Sequence, residues 1–517
     1  MRVIDYFDRG VLLNPGGMCL HDLERGYSYL EVQEQTHRIA NGLLAQGVSR
    51  ESIVAIYSPN SVRAFECVLG AMRAGATWLP VNVRYSLEDN QYILGTYDCS
   101  WLFFHSSFEE DVRKMREHLP QVRHFICMDR ASTLGPSFDA WIAPFQAPAP
   151  LLPYADDDMA VLFTSGGTTG RPKGVMLTHR NLGAFFANWY AHVHSDGFLT
   201  HLVAAPITHA AGLILLAMLA GGASNVIMPG VEADALFENI ERFQVSILYL
   251  PPAAIYKLLA HPAVGKADFS SLQYFIYGAA PMNPDKLREA IEVFGPVMQQ
   301  IYGQAETTAP CTCLSKADHF PRDGANAAKR LWSCGRPVLT NLVCIMDDDG
   351  RILKAGEMGE IVVRGSNVMR GYYKHPEETA RVSEHGWHHT GDVGYCDEEG
   401  FFYLVDRKKD MIVSGGFNVY SVEVEQVLLA HPAVLDGVVI GVPDATWGEA
   451  IKAVVELKPD VDFDAAEVLA FCRERLGGVK TPKSVDVWEQ IPRSPAGKLL
   501  KRDVRSKYWQ DQERMIH

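Results

Sequence analysis

An α/β fold, mixed α+β overall, is predicted for this chain of 517 residues. The expected layout is a large N-terminal domain of α/β sheets ending in a β-barrel-like subdomain, then a small α+β C-terminal domain. Three observations predict it. Short β-branched runs alternate with segments of helical period through the first part of the chain. After about Trp332 the texture changes to short alternating apolar segments around an Asp349-Gly350 turn. The last hundred or so residues then carry a helix and strand pattern of their own.

Taken in order, SIVAIYSPN reads as a strand closed by turn residues, and SVRAFECVLGAMRAG as a helix with Phe65, Val68, Leu69 and Met72 on one face. ATWLPVN is the next strand. The same order recurs in SNVIMPG, ALFENIERF, VSILYLPP, AAIYKLLA and YFIYGAAP, which calls for parallel strands covered by helices. VCIMDDDGRILKAGEMGEIVVRG folds back on itself as the barrel-like part. Beyond DRKKDMI come a helix at VEVEQVLLA, strands at VVIGV and KAVVEL, a helix at AAEVLAFCRERL and a strand near SVDVW. The charged stretch Arg407 to Lys409 suits a linker, which gives domains 1–408 and 409–517.

With 47% hydrophobic and 21% charged residues the chain can bury large cores, so disorder is excluded. A formal charge of -14 argues against nucleic acid as a partner, since phosphate-backbone binding needs clustered Lys and Arg. The most apolar run, Ala210 to Met228, is broken by Gly221, Gly222, Ser224 and Asn225, so it reads as a buried helix turning into a strand rather than a membrane span. The first residues, MRVIDYFDRG, carry charges where a secretory signal would be apolar. Ten scattered cysteines, of which only Cys311 and Cys313 are close, make neither a zinc site nor a disulfide framework and point to a reducing cytoplasm. Nothing here fixes the oligomeric state, and a homodimer is compatible with it.

The string TSGGTTGRPKG, Thr164 to Gly174, has the ingredients of a phosphate cradle. Gly166, Gly167 and Gly170 let the backbone approach a ligand, Thr164, Ser165, Thr168 and Thr169 can donate to phosphate oxygens, and Lys173 adds a compact positive charge. The order differs from a P-loop, which needs Gly-Lys-Ser/Thr opening a helix.

This string resembles the signature loop of the adenylate-forming superfamily, which includes acyl-CoA and aryl-CoA ligases, adenylation domains of peptide synthetases and beetle luciferases. YGAAP (277–281), IYGQAETT (301–308), HTGDVG (389–394), DRKKDMI (406–412), SGGFNVYSVEVE (414–425) and PRSPAGKLLKR (492–502) follow in the family's order and span nearly the whole chain. The resemblance implies an ATP-dependent, AMP-forming ligase with Mg²⁺ and coenzyme A (CoA), in which a carboxylate is first adenylated and a thiol then displaces AMP as a small mobile domain swings. A carboxylate and a triphosphate repel each other by roughly 4 kcal/mol per pair of unit charges about 4 Å apart at an effective dielectric of 20, so cations must gather around them.

The resemblance assigns those roles residue by residue. Glu306 would hold Mg²⁺ and Lys498 would reach the substrate carboxylate and α-phosphate. The Thr164–Lys173 loop would grip the outer phosphates, Gly278, Ala279 and Ala280 would border the adenine, and Tyr302 would stack on it, with Gly303 and Thr307 in the same motif. Asp392 and Arg407 would bind the ribose. Lys409 marks the hinge, Asn418 lies near the nucleotide, and Gly416 and Trp447 lie near CoA. His209 would position or gate the acid, beside pocket candidates Trp189, Tyr190, Gly212, Leu213 and Ala309. Two departures stand out: Ala305 replaces the family's usual threonine, so that one hydroxyl contact is either missing or supplied by Thr307, and Phe417 stands where some relatives have a charged residue.

No carrier domain follows His517 and APITHAAG lacks the aspartate that pairs an amino-acid ammonium, so free CoA and an uncharged acid tail, aromatic or otherwise bulky and apolar, are expected. A medium-chain fatty acyl-CoA ligase, an enzyme that loads a carrier protein, and a nucleotide-binding regulatory protein without turnover remain open as alternatives.

Overall fold

A computed structural model describes residues 1–165, 172–320, 327–444, 446–459, 461–493 and 499–509, with backbone alone at Ala327, Ala328 and Asn418. The loop residues Gly166, Gly167, Thr168, Thr169 and Gly170, and Lys498, lie outside the described residues. Two compact units are present. The larger holds the described residues up to Val343 together with Val363–His388, and the smaller holds Cys344–Val362 and the described residues from His389 on.

In the larger unit the run IVAIY forms strand Ile53–Tyr57, all five residues buried, between parallel neighbours Thr77–Val81 and Cys99–Phe104. The sequence reading of a strand in a parallel sheet covered by helices holds, and the side-chain period of two explains how both its faces are buried. Ile53, Ala55 and Tyr57 point into one core with Leu79, Val81 and Phe104. Val54 and Ile56 point into a second, much larger core with Trp78 and Phe65. At about 1.5–3 kcal/mol per buried large side chain, one short strand stabilises two cores at once. The helix after it, Val62–Arg73, starts on the Ser61 hydroxyl, which accepts from Ala64 N at 3.2 Å, and ends before Gly75, whose φ of +76° suits only glycine well.

This sheet has seven strands, running outward from Thr77–Val81 through Met159–Ser165 and Lys173–Thr178 to the short edge strand Gly371–Tyr372. A nine-stranded sheet, parallel from Met18–His21 to Met298–Tyr302, carries the other expected strands, Ser224–Ile227, Ile247–Leu250 and Tyr274–Gly278. The apolar run at Ala210 resolves into helix Ala210–Ala220, a turn at Gly222 and strand Ser224–Ile227. Among the described residues no helix is long and apolar enough to cross a membrane.

The barrel-like segment is a four-stranded sheet of Asn341–Met346, Gly359–Gly365, His388–Cys396 and Phe402–Arg407. The C-terminal strands Ile412–Ser414, Phe417–Val419, Val434–Asp444, Gly448–Leu457 and Ser484–Val487 form one sheet, with helices Ser421–Leu429 and Ala465–Lys480 sharing its core. A last helix, Lys501–Ser506, was not expected from the sequence. It is held by Lys501, whose ammonium pairs with Glu425 at 2.8 Å and donates to Ser421 Oγ at 2.6 Å. Burial pushes the Glu425 carboxyl up to about 7 against that attraction.

Candidate functional site

Strands Met159–Ser165 and Lys173–Thr178 pair antiparallel, with Thr164 opposite Gly174 and Ser165 opposite Lys173. The glycine- and hydroxyl-rich loop therefore connects two strands whose paired ends fix where it leaves and returns. Lys173, at the return, forms an ion pair with Glu378 and lies 5.2 Å from the centre of the Tyr372 ring. The hydrogen bond and charge of Lys173 hold the Glu378 carboxyl below its usual range.

Tyr372 carries the arrangement to the next motif. Its hydroxyl donates to Glu306 Oε1 at 2.9 Å. Burial first, then the Glu306 charge, push that phenol well above its ordinary range, so it remains a donor at any working pH. The edge strand Gly371–Tyr372 lies opposite Met176 and Val175, and Tyr373 N donates to Gly174 O at 2.8 Å. Glu306 is fixed from its backbone as well, since Met369 N donates to its carbonyl at 2.7 Å. Residues some two hundred positions apart thus converge, with a lysine near one tyrosine ring and a half-buried carboxylate at its hydroxyl.

Thr307 does not offer the open hydroxyl that one of the two sequence readings asked of it. It is fully buried, and its hydroxyl is engaged by Gln304 N at 3.1 Å and by Cys311 Sγ at 2.9 Å. It stiffens the turn that presents Glu306 instead of offering an open donor. Ala305 in that turn is half-buried.

Gly278 ends its strand beside Ile301, where a Cβ would sit 2.5 Å from the Ile301 carbonyl oxygen. Tight strand packing therefore requires this glycine. Ala279, exposed and at φ +68°, occupies the left-handed region at a cost of about 1–2 kcal/mol, and Ala280 follows half-buried. Tyr302 ends the adjacent strand with 9% of its surface exposed. At Gly303 a Cβ would meet that of Ala309 at 2.8 Å.

His209 stands just before helix Ala210–Ala220. Its Nε2 lies 2.9 Å from Asn82 Nδ2. Burial, aided by Arg84, lowers its imidazole to about 4, so it is neutral at pH 7. The pocket candidates divide. Tyr190 donates to Ala217 O at 2.6 Å, eight residues beyond His209 and roughly 12 Å along that helix at 1.5 Å per residue. There it lines a cavity of about 550 Å³ with Tyr6, Phe186, Val193 and Met218, so it is not brought to His209. Trp189 is buried against Phe185, with ring centres 6.0 Å apart. Gly212 is a packing requirement, because a Cβ would fall 2.0 Å from Ile207 O and 3.0 Å from the Trp78 ring. Leu213 is buried and Ala309 half-buried.

In the smaller unit, Asp392 and Arg407 are direct partners across an antiparallel pair, and Arg407 Nε approaches Asp392 Oδ1 to 2.6 Å. The expectation that both serve one sugar needs them adjacent, and they are. Lys408 pairs with Asp348 at 2.6 Å, and Lys409 follows half-buried in the turn closed by Asp410 N donating to Arg407 O. Gly415 and Gly416 take φ of +58° and +81°. Trp447 is 46% exposed, packs so close to Gly415 that a Cβ there would meet its ring at 2.7 Å, and has Lys483 Nζ 5.2 Å from its ring. Phe417 is exposed beside the same turn, and the Asn418 side chain lies outside the described atoms.

Four groups were missed in the sequence: Glu378, Tyr372, Asn82 and Lys501. The string GYYKHPEETA did offer a signal, since Pro376 and two glutamates open helix Pro376–Arg381 directly after the tyrosines. For magnesium, one half-buried carboxylate whose second oxygen has no partner among the described residues suits a hard ion that takes its remaining ligands from phosphates and water. Among the described residues no cluster of three or more His, Cys, Asp or Glu side chains exists that could hold a metal ion.

Comparison with known proteins agrees along the whole chain. Residues 7–373 match the family described as AMP-binding enzyme, and residues 423–498 its C-terminal domain. The medium/long-chain-fatty-acid–CoA ligase FadD8 of Mycobacterium tuberculosis is 36% identical over 83% of this chain and 77% of its own. Feruloyl-CoA synthase of Amycolatopsis sp is 35% identical over 97% and 98%. The solved amide bond synthetase McbA of Marinactinospora thermotolerans superposes with a TM-score of 0.89 at 30% identity, covering 98% of this chain and all of that one. With phosphate-loop, carboxylate and ribose motifs all present on the fold that these enzymes share, the chain belongs to the AMP-binding enzyme family, the adenylate-forming enzymes.

Proposed function

We propose that this enzyme is an AMP-forming carboxylate:CoA ligase acting on an aromatic or other bulky apolar acid. The observation that carries the reading is the convergence of Lys173, Tyr372 and Glu306 at the mouth of the phosphate loop. In the first half-reaction a carboxylate oxygen of the acid attacks the α-phosphorus of ATP, the bond to the β-phosphate oxygen breaks, and pyrophosphate leaves. Lys173 and the Thr164–Gly170 loop draw negative charge from the outer phosphates. Glu306, held by Tyr372, would bind Mg²⁺, which when present neutralises phosphate charge. Lys498 supplies the cation at the carboxylate, Asp392 accepts from the ribose hydroxyls with Arg407 oriented beside it, and Ala279, Ala280 and Tyr302 border the base. In the second half-reaction the CoA sulfur attacks the acyl carbon and AMP departs. Trp447, with Lys483 over its ring, offers a stacking face and a positive charge suited to the adenine and phosphates of CoA.

We assign residues 409–517 to a lid that turns at Lys409 between the two steps. The ten cysteines, all free and most of them buried, fit a reducing cytoplasm, and a homodimer is an assembly for sedimentation to test. The acid's chemistry is inferred from the apolar residues near His209, and from the charge-free helix that follows it.

The test is acid-dependent AMP and pyrophosphate release across a panel of aromatic, short-chain and medium-chain acids, with and without CoA. Release that requires both acid and CoA supports the reading. Pyrophosphate exchange with no CoA turnover would move the acceptor to an amine, as the likeness to an amide bond synthetase suggests, or to a carrier protein. Nucleotide binding with neither activity would leave a regulatory protein.

A further inference from the structure

We infer that Asn82 is a positioning residue that fixes His209 as a neutral imidazole protonated on Nδ1, so that His209 serves the bound acid as a hydrogen-bond donor and never as a base. The inference rests on the proposed function only in naming the acid as the acceptor. The tautomer itself is read from local geometry.

Asn82 follows strand Thr77–Val81 and is 2% exposed. Its Oδ1 accepts from the backbone N–H of Arg84 at 2.9 Å, and its own carbonyl accepts from Asn90 Nδ2 at 3.1 Å. A backbone N–H can only donate, so the atom facing it must be the oxygen, and the amide orientation is settled without appeal to the histidine. The amide nitrogen is left 2.9 Å from His209 Nε2. An amide NH₂ offers hydrogens and no usable lone pair, so Nε2 must accept and its proton must sit on Nδ1. Protonating the ring would set two donors against each other. Arg84, the charged group acting on the ring, opposes protonation as well, as does burial.

Nδ1 is different. Among the described residues no group is bonded to it, and His209 is not fully buried at the start of helix Ala210–Ala220. A donor that is oriented, neutral and unused in the free protein has the properties needed to donate to a ligand oxygen without reorganisation. A carboxylate oxygen of the acid, the one not attacking phosphorus, is the acceptor this chemistry selects.

The experiment combines histidine-selective ¹⁵N NMR of the whole protein, with His209→Gln for assignment, and kinetics of Asn82→Ala and Asn82→Asp. In the native protein His209 should show an unprotonated Nε2 and a protonated Nδ1 throughout pH 5 to 8. The carboxylate introduced by Asn82→Asp would accept from Nε2–H, so the proton should move to Nε2 and the ring should begin to titrate within that range. Acid-dependent kcat/KM should fall about ten- to hundredfold in both variants, as for loss of a hydrogen bond to a charged group, with KM for ATP unchanged. Only Asn82→Asp should gain a new pH dependence. A protonated Nε2 in the native protein would overturn the inference. So would a native tautomer as expected with acid kcat/KM unmoved in Asn82→Ala and His209→Gln. If no acid supports AMP release in the native protein, the proposed function fails while the tautomer assignment stands on its spectrum, and the donor role falls with the acid.

Discussion

The groups proposed to face phosphate in the larger unit and the exposed aromatic side chains of the smaller one are prepared in opposite ways. Lys173 and Glu306 are each engaged by a neighbour, Glu378 and Tyr372, before any ligand arrives. Trp447 and Phe417 stand exposed around a glycine turn. The difference follows from chemistry. A half-buried charge left alone is costly, so it is stored against a partner that a ligand can replace or join. An aromatic face needs no partner and can wait in solvent.

The largest effect that tests this contrast is at Glu306. Glu306→Gln keeps shape and the tyrosine bond but removes the charge, and acid-dependent AMP formation should fall about 10²- to 10³-fold, as for loss of an electrostatic contact in the transition state. A loss confined to the CoA step would place Glu306 elsewhere in the cycle. Next, Asp392→Asn should raise KM for ATP about ten- to hundredfold, the scale of hydrogen bonds to a charged group, while KM for CoA stays put. Trp447→Ala should do the reverse, raising KM for CoA about tenfold and leaving ATP alone, which is the scale of a stacked cation and ring. Should Trp447→Ala change ATP and CoA alike, the two regions are not separable.

The smallest and most discriminating change is Glu378→Gln. If Glu378 merely stores Lys173, ATP should bind a few-fold tighter once the competing carboxylate is neutral. Weaker ATP binding would instead show that Glu378 aims the lysine.

A control on stability separates these effects from unfolding. His201 is fully buried, bonded to Asn225 Oδ1 at 3.1 Å, and burial lowers it to about 4. Its folded value lies below the ordinary 6.5, so the unfolded chain binds the extra proton between those limits. Stability from this group is complete above pH 6.5 and is lost as pH falls toward 4, by about 3 kcal/mol in all. Denaturant midpoints measured from about pH 7 to about 4.5 should fall, and should fall less steeply in His201→Gln. An unchanged slope in that variant would assign the acid sensitivity to the other histidines held equally low by burial, His179, His209 and His319.

Legibility in the sequence followed the range over which each cause acts. Strand Ile53–Tyr57, helix Val62–Arg73 and the helix and strand within Ala210–Met228 were readable because burial period and turn residues are local signals. The Asp392–Arg407 pair was readable only as two motifs, and their cross-strand register made them neighbours. Tyr190 was misplaced because an aromatic residue on an apolar helix has the same pattern whether it lines a ligand site or a distant cavity. Tyr372, Glu378 and Asn82 could not be found by spacing, since their partners lie 66, 205 and 127 positions away in the chain. Helix Lys501–Ser506 is too short for a periodic signal and depends on one buried lysine.

Tyr372 and Glu378 are six residues apart on one bend, from the edge strand into helix Pro376–Arg381. Any movement of that bend lifts a shield from the cation and a tether from the carboxylate together. Arrival of the nucleotide should therefore be registered as a single kinetic phase by a fluorophore placed there, with no interval in which one charge is exposed while the other stays covered.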